Sequence, residues 1–293
     1  MARVFAVSGA SGFVGDALCE ALSARGDRVL RLVRGTAQRE DERAWTPGQV
    51  AGPELLADVD VVVHLAGAPI SVRWTPTARA AILGSRVDGT RTLAAAVAAR
   101  DGATRLISTS AVGYFGDTGD AVVDERTPSG AGFAAEVCRA WEAEALKAGP
   151  GTAIVRVGLV LAPHGGVLKQ LLPVFRAGAG GRTGPGTQWM PWISLDDLVA
   201  VYLFAADHPA LRGPLIACAP SPVRNADFSA ALGRALRRPA LLPSPAFALK
   251  LAFGDMAREL LLGGQRAQPA ALERAGFAWR DTNLDATLQR LLA

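Results

Sequence analysis

The chain has 293 residues, half of them hydrophobic and 20% charged, with a net charge of +4. That length suits one large domain or two lobes sharing a cleft, and the composition excludes disorder. The arginines are scattered, with no basic run beyond Arg237-Arg238, so nucleic acid is not expected as a partner. No apolar run approaches a membrane span and no signal-peptide apolar region opens the chain, so no membrane association and a cytoplasmic location are expected. Cys19, Cys138 and Cys218 are far apart and read as buried free thiols in a reducing compartment. His64, His164 and His208 are too dispersed to suggest a metal site.

Val4 to Val7 form a β-branched and aromatic run, as a central parallel strand should, and Ser8 and Gly9 bound it. Val14, Ala17, Leu18, Ala21 and Leu22 then recur at helical spacing. Between strand and helix lie Gly9, Gly12 and Gly15, a GxxGxxG variant of the dinucleotide fingerprint. One glycine permits the tight turn, one lets backbone approach a pyrophosphate, and one lets the helix pack on the strand. The free N–H groups and the helix dipole then hold phosphate.

Arg28 to Arg34 is the second strand. Arg34 ends it where such a unit meets the adenosine ribose, and an arginine there suits a 2′-phosphate, hence NADP(H) rather than NAD(H). Ala44-Trp-Thr46 is a short third strand whose end faces the adenine. Val59 to Leu65 is the fourth; it leads into His64-Leu-Ala-Gly67, a small-residue loop suited to pass beneath the nicotinamide ribose, with His64 read as a capped strand-end histidine. A helix over 75–99, a fifth strand over Arg105–Ser110, a helix over 132–148 and a sixth strand over Thr152–Leu161 complete a βα alternation. Such alternation means a doubly wound parallel sheet. Beyond Pro163 glycines and prolines break the pattern. Asp196 and Asp197 open a helix and read as caps rather than acid–base carboxylates, and Asn225 reads as the cap of a helix over 227–236. The tail from Pro239 mixes proline-rich turns with short helices.

Together with Arg34, the segments Gly9–Gly15, His64–Gly67, Ser108–Gly116, Arg156–Gly166 and Trp192–Leu198 resemble, in this order, the extended short-chain dehydrogenase/reductase superfamily. More narrowly the chain is similar to the atypical "epimerase family" branch of the NAD(P)-dependent epimerase/dehydratase proteins. Arg73-Trp74, Ser85-Arg86, Trp141-Glu142, Ala219–Asn225, Gly264-Gln-Arg266 and Ala275-Gly-Phe277 extend the likeness to nearly the whole chain. The resemblance implies a Rossmann lobe over 1–163, to which 190–208 return, and a smaller substrate-covering lobe over 164–293. It implies a nicotinamide cofactor and no particular substrate. Assigned to the cofactor are Gly9, Ser11, Gly12, Phe13, Val14, Gly15, Arg34, Thr46, Leu65, Ala66, Gly67, Ser108 and Val160; assigned to a substrate pocket are Arg73, Phe133 and Trp192.

The superfamily's usual site is a Ser/Thr at the end of the fifth strand and a Tyr-x-x-x-Lys on the next helix. Ser110 matches the former; Phe133 and Val137 stand where the Tyr and Lys should be, and neither transfers a proton. Lys147 is about 15 Å along the helix from Val137 and cannot substitute. Tyr114, on the loop after Ser110, is the candidate relocated acid, or else a wall of the pocket. Two readings follow. One is an NADP(H)-dependent oxidoreductase or epimerase-like protein acting on a small carbonyl or sugar-like substrate, with room for a homodimer. The other is an NADP(H)-binding sensor or scaffold with little turnover.

Overall fold

A computed structural model describes residues 2–293. In chain order its first half holds β1 (Val4–Ser8), α1 (Phe13–Ala24), β2 (Arg28–Arg34), β3 (Glu42–Trp45), β4 (Val61–His64), α2 (Pro76–Ala98), β5 (Arg105–Ala111), the two-residue β6 (Val122–Val123) and α3 (Phe133–Leu146). The second half holds β7 (Ala153–Val157), β8 (Leu159–Ala162), α4 (Gly166–Arg176), β9 (Trp189–Met190), β10 (Trp192–Ser194), α5 (Leu195–Asp207), β11 (Gly213–Ala217), β12 (Val223–Arg224), α6 (Asn225–Leu236), α7 (Ala246–Phe253), β13 (Arg266–Ala267), α8 (Ala270–Arg274) and α9 (Leu284–Leu292).

Seven strands pair in parallel in the order β11-β7-β5-β4-β1-β2-β3, the sheet of a Rossmann-type α/β protein. Alternation along each strand sends side chains to opposite faces, so both faces need a helical cover. Phe5 and Val7 of β1 point to the layer of α1 and α5, where Leu18, Leu22 and Tyr202 meet them. Ala6, between them, points the other way, into a core with Leu93 and Val97 of α2 and Ala145 of α3. A third core, around Leu168, Phe175, Trp192, Phe228 and Leu288, builds the smaller lobe from α4, β10, α6 and α9.

The structure departs from the expected boundaries in three places. The sixth strand is two: at Gly158 the backbone changes partner, the Gly158 amide donating to the Ala217 carbonyl (2.9 Å) and the Leu159 amide to that of Pro191 (2.7 Å). Only glycine fits there, because a Cβ would lie 2.2 Å from the Pro191 carbonyl oxygen. Beyond the break, β8 leaves the main sheet and pairs with β10. The chain's return to the sheet also extends past 208, since β11 adds the edge strand beside β7. Finally, α6 begins at Asn225, whose side chain accepts from the Thr183 amide (2.7 Å) instead of capping its own helix. All three cysteines are buried. Among the described residues no helix is long and apolar enough to cross a membrane.

Candidate cofactor site and active-site cleft

The strand order reverses between β1 and β4: from β1 the chain steps outward to β2 and β3, and from β4 it steps the other way. Ligands of doubly wound sheets bind in the crevice at such a point, beyond the carboxyl ends of the strands. Gly9 turns the chain there with φ +72°, a conformation that favours glycine. The Gly12 amide donates to the Gly9 carbonyl (2.9 Å), and a Cβ on Gly15 would lie 2.1 Å from that same oxygen. Gly15 is therefore the packing glycine, while Gly12 is exposed, with the Gly9 carbonyl oxygen 3.1 Å from where a Cβ would sit. No side chain caps the N-terminus of α1, so its first N–H groups are free for an anion. This cradle fits a dinucleotide pyrophosphate.

Ser11 lies exposed on the loop, and Leu65, Ala66 and Gly67 form the opposite wall. The Leu65 amide donates to the Ser8 carbonyl (3.1 Å), and Ala66 packs against Gly9. Arg34 stands exposed at the end of β2, without the carboxylate partners that hold Arg28, Arg31 and Arg39. Arg31, not singled out from the sequence, sends Nη1 to the Ala10 carbonyl (3.3 Å) and so adds positive charge beside the glycine loop. Thr46 is exposed one residue past β3.

Other assigned residues face elsewhere. The Phe13 ring meets His164 edge-on (5.9 Å) and fills the space that a Cβ on Gly165 would need. Val14 and Val160 pack on the core beneath α1 and α5. Ser108 is a correction: it is fully buried in β5, opposite His64, and presents no surface to a ligand. His64 itself bridges Ser8 Oγ (Nδ1, 2.6 Å) and Thr90 Oγ1 (Nε2, 3.0 Å) with no exposure. Burial, with the Arg86 charge nearby, pushes its pKa down to about 3, so it is neutral and structural. Arg86 lies under this wall, donating to the carbonyls of Ala68 (3.0 Å) and Ile82 (3.2 Å) beside the Trp141 ring.

The catalytic candidates are rearranged most. Ser110 is 1% exposed and its hydroxyl donates to Glu142 Oε1 (2.7 Å). Glu142 is in turn gripped by Arg156 through Nε (2.9 Å) and Nη2 (2.8 Å), an ion pair with side chains only 8% and 3% exposed. Removing one partner of such a pair costs about 3–5 kcal/mol. As placed, Ser110 links β5 to this pair and does not open to the cleft. Tyr114 is half-buried and its ring covers the guanidinium, whose carbon lies 3.5 Å from the ring centroid. Arg156 Nη1 has no hydrogen-bond partner, so the aromatic face is the main cover of that cation.

Helix α3 is also rotated from its expected register. Phe133 and Val137 face Trp74, Ile82 and Met256. The positions that meet β5 and its loop are Ala134 (against Gly113), Cys138 (Sγ to the Ala111 carbonyl, 3.7 Å) and Glu142. Burial pushes the Cys138 thiol up to about 11, so it stays protonated near neutrality. Neither register supplies the Tyr and Lys. Lys147 pairs with Glu144 at the helix end (2.9 Å).

Of the expected pocket residues, Phe133 is 7% exposed beneath Trp74. Arg73 reaches the carbonyls of Leu251 (3.2 Å) and Ala252 (3.0 Å), clasping α7. Trp192 is a correction: it has no exposure, sits in the smaller lobe's core, and its indole N–H donates to the Ser221 carbonyl (3.1 Å). Asp196 and Asp197 do not cap by side chain either. Ser194 does, accepting from the Asp197 amide (3.2 Å), while the Asp197 carboxylate takes the amides of Arg280 and Asp281 (both 2.9 Å). Glu259, unforeseen, accepts from the first two amides of α3, Phe133 (3.0 Å) and Ala134 (2.9 Å). Glu142 was legible in principle: Arg156 inside the apolar run Ala153–Val157 demands a buried carboxylate.

Residues 5–215 match the model of the NAD dependent epimerase/dehydratase family, and residues 244–291 match a domain of unknown function, DUF1731. An epimerase family protein of Mycobacterium tuberculosis is 44% identical over 291 residues, covering 97% of this chain and 96% of that protein. The crystal structure of human epimerase family protein SDR39U1 with NADPH superposes with a TM-score of 0.89 at 30% identity, covering 99% of each chain. That of a nucleoside-diphosphate sugar epimerase from Corynebacterium glutamicum gives 0.82 at 37%, covering all of this chain and 58% of that one.

Proposed function

Because this chain belongs to the NAD dependent epimerase/dehydratase family, we propose that it binds NADP(H) and acts as a weak reductase of a small carbonyl compound. The carrying observation is the glycine cradle at the strand-order reversal, with Gly12 exposed and Arg34 unpaired at the end of β2. The human relative's structure with NADPH supports the same choice. In this reading the first turn of α1 holds the pyrophosphate, Arg34 pairs with the 2′-phosphate, and Leu65–Gly67 wall the nicotinamide side. When bound, the reduced nicotinamide supplies hydride.

The chain's own groups limit the chemistry. Oxidising an alcohol needs a base for the hydroxyl proton, yet α3 offers β5 only Ala134, a protonated Cys138, and a Glu142 held by Arg156. Reduction asks less, because a proton is delivered rather than removed. Tyr114 is the partly exposed phenol nearest this region and is the group that delivers it, with water as the alternative source. Nucleotide-sugar epimerisation, which begins with an alcohol oxidation, should therefore be undetectable. The second reading, a sensor or scaffold without turnover, is favoured by the sealing of Ser110.

Titration separates the parts of this proposal. NADPH should bind at least about tenfold tighter than NADH, since a charge-assisted pair contributes about 1.5–3 kcal/mol. Arg34→Asp should erase the difference; equal affinities in the unaltered protein would overturn the assignment. A carbonyl panel then distinguishes the two readings, and Tyr114→Phe should lower any reduction by roughly 10²–10⁴-fold.

A further inference from the structure

Five of the ten large apolar side chains exposed among the described residues fall in one short stretch: Leu241 (82%), Leu242 (58%), Phe247 (75%), Leu251 (78%) and Phe253 (39%). Within it, α7 buries none of its residues, although Lys250 is its one polar side chain. A concentration of exposed apolar side chains of this kind marks an interaction site. The ridge is held in place: Arg73 clasps the carbonyls of Leu251 and Ala252, and Arg79 pairs with Asp255 (2.8 Å) just beyond the helix.

Beside the ridge is an open depression of about 370 Å³, lined by Arg234, Arg237 and Arg238 together with Leu241. Arg234 is occupied by Asp285 (2.6 Å), whereas Arg237 and Arg238 are exposed and belong to no ion pair among the described residues. Lys250, on α7, is also exposed and belongs to no ion pair among the described residues. The single carboxylate between residues 237 and 258, Asp255, is already shared by Arg79 and Arg258 (3.3 Å).

We propose that this face docks on the surface of an anionic phospholipid bilayer. Headgroup phosphates enter the arginine-lined depression while Leu241, Leu242, Phe247 and Leu251 enter the acyl boundary. A second copy of the chain is a poor occupant, because its like-charged rim would meet this one. A protein groove takes one apolar stripe of a helix, whereas α7 is apolar on all sides save Lys250. Eight residues make a helix of about 12 Å, far short of a bilayer core of about 30 Å, so α7 lies on the membrane and does not span it. The sequence argued only against spanning segments, which is why no membrane was expected.

Co-sedimentation of the full chain with vesicles tests this, using phosphatidylcholine alone or mixed with phosphatidylglycerol. Binding should be at least about tenfold tighter to the anionic vesicles and should weaken with added salt. Phe247→Ser with Leu251→Ser should weaken it about tenfold or more, as should Arg237→Gln with Arg238→Gln. These side chains are exposed, so circular dichroism should find every variant folded. Equal binding to both vesicle types, binding to neither, or unchanged binding by either variant would overturn the proposal. So would a dimer in sedimentation velocity that Phe247→Ser with Leu251→Ser dissociates, which would make the face an interface between copies. None of these readouts depends on a bound nucleotide.

Discussion

His64 shows how burial converts a titratable side chain into a conditional liability. Its ordinary pKa of 6.5 falls to about 3 in the fold, where Ser8 and Thr90 hold the neutral ring and Arg86 repels a proton. Above pH 6.5 the ring is neutral in both folded and unfolded chains and costs nothing. Below it the unfolded chain takes up a proton that the fold refuses, so stability falls as pH drops towards about 3, at up to about 1.4 kcal/mol per pH unit. His64→Gln removes that slope. Urea unfolding at a series of pH values should find the wild-type advantage over this variant shrinking between pH 7 and pH 4, within the window between the unfolded pKa of 6.5 and the folded value of about 3. A constant gap would mean that His64 keeps an ordinary pKa in the fold. The role of His64 was readable from its place at a strand end. Its two hydroxyl partners were not, because Ser8 and Thr90 come together only when β4 and α2 pack against β1.

At the scale of elements, α3 carries the lesson about what a sequence displays. Phe133, Val137 and Trp141 repeat every four residues and suggest one apolar face. The helix in fact buries two: one against Trp74, Ile82 and Met256, the other against β5 through Cys138 and Glu142. A helix covered on two sides has no single stripe to read, so its rotation was ambiguous by one residue. The N-terminus of α3 is satisfied from afar by Glu259, 126 positions away from Phe133. No local capping pattern could have announced it. Glu259→Ala should cost about 0.5–2 kcal/mol in denaturant unfolding, the ordinary worth of a helix cap. Hydrogen exchange at the Phe133 and Ala134 amides should quicken at the same time; unchanged exchange would show that this end of α3 is held by something else. The glycine loop, by contrast, was fully legible, because strand, turn and helix there are consecutive in the chain. The same locality explains why Ser194 was missed as a cap: it also ends a buried strand, and the adjacent aspartates looked like better acceptors.

For the molecule as a whole, the sheet and its two helical layers were visible as alternating runs, but the second departure from that alternation was not. β11 follows α5 directly, but it joins β7 as an edge only after the chain has already built part of the smaller lobe. The two lobes are therefore threaded through one another rather than strung in series, and they are clasped by Arg73, Arg79 and Glu259. This has a consequence for how the molecule opens, and the buried cysteines are placed to record it. Cys19 lies in the core between α1 and the sheet, Cys138 between α3 and β5, and Cys218 just past β11 against Ala267. Burial raises the pKa of each thiol, so none is chemically ready while shielded. Each can be alkylated only when its own surroundings come apart, which makes the trio three clocks in three rooms. If the threading makes unfolding a single event, mass spectrometry of time-resolved labelling should find all three modified together in each molecule. Early labelling of Cys218 alone would show that the β11 edge and the tail can peel away while the nucleotide-binding half stays closed.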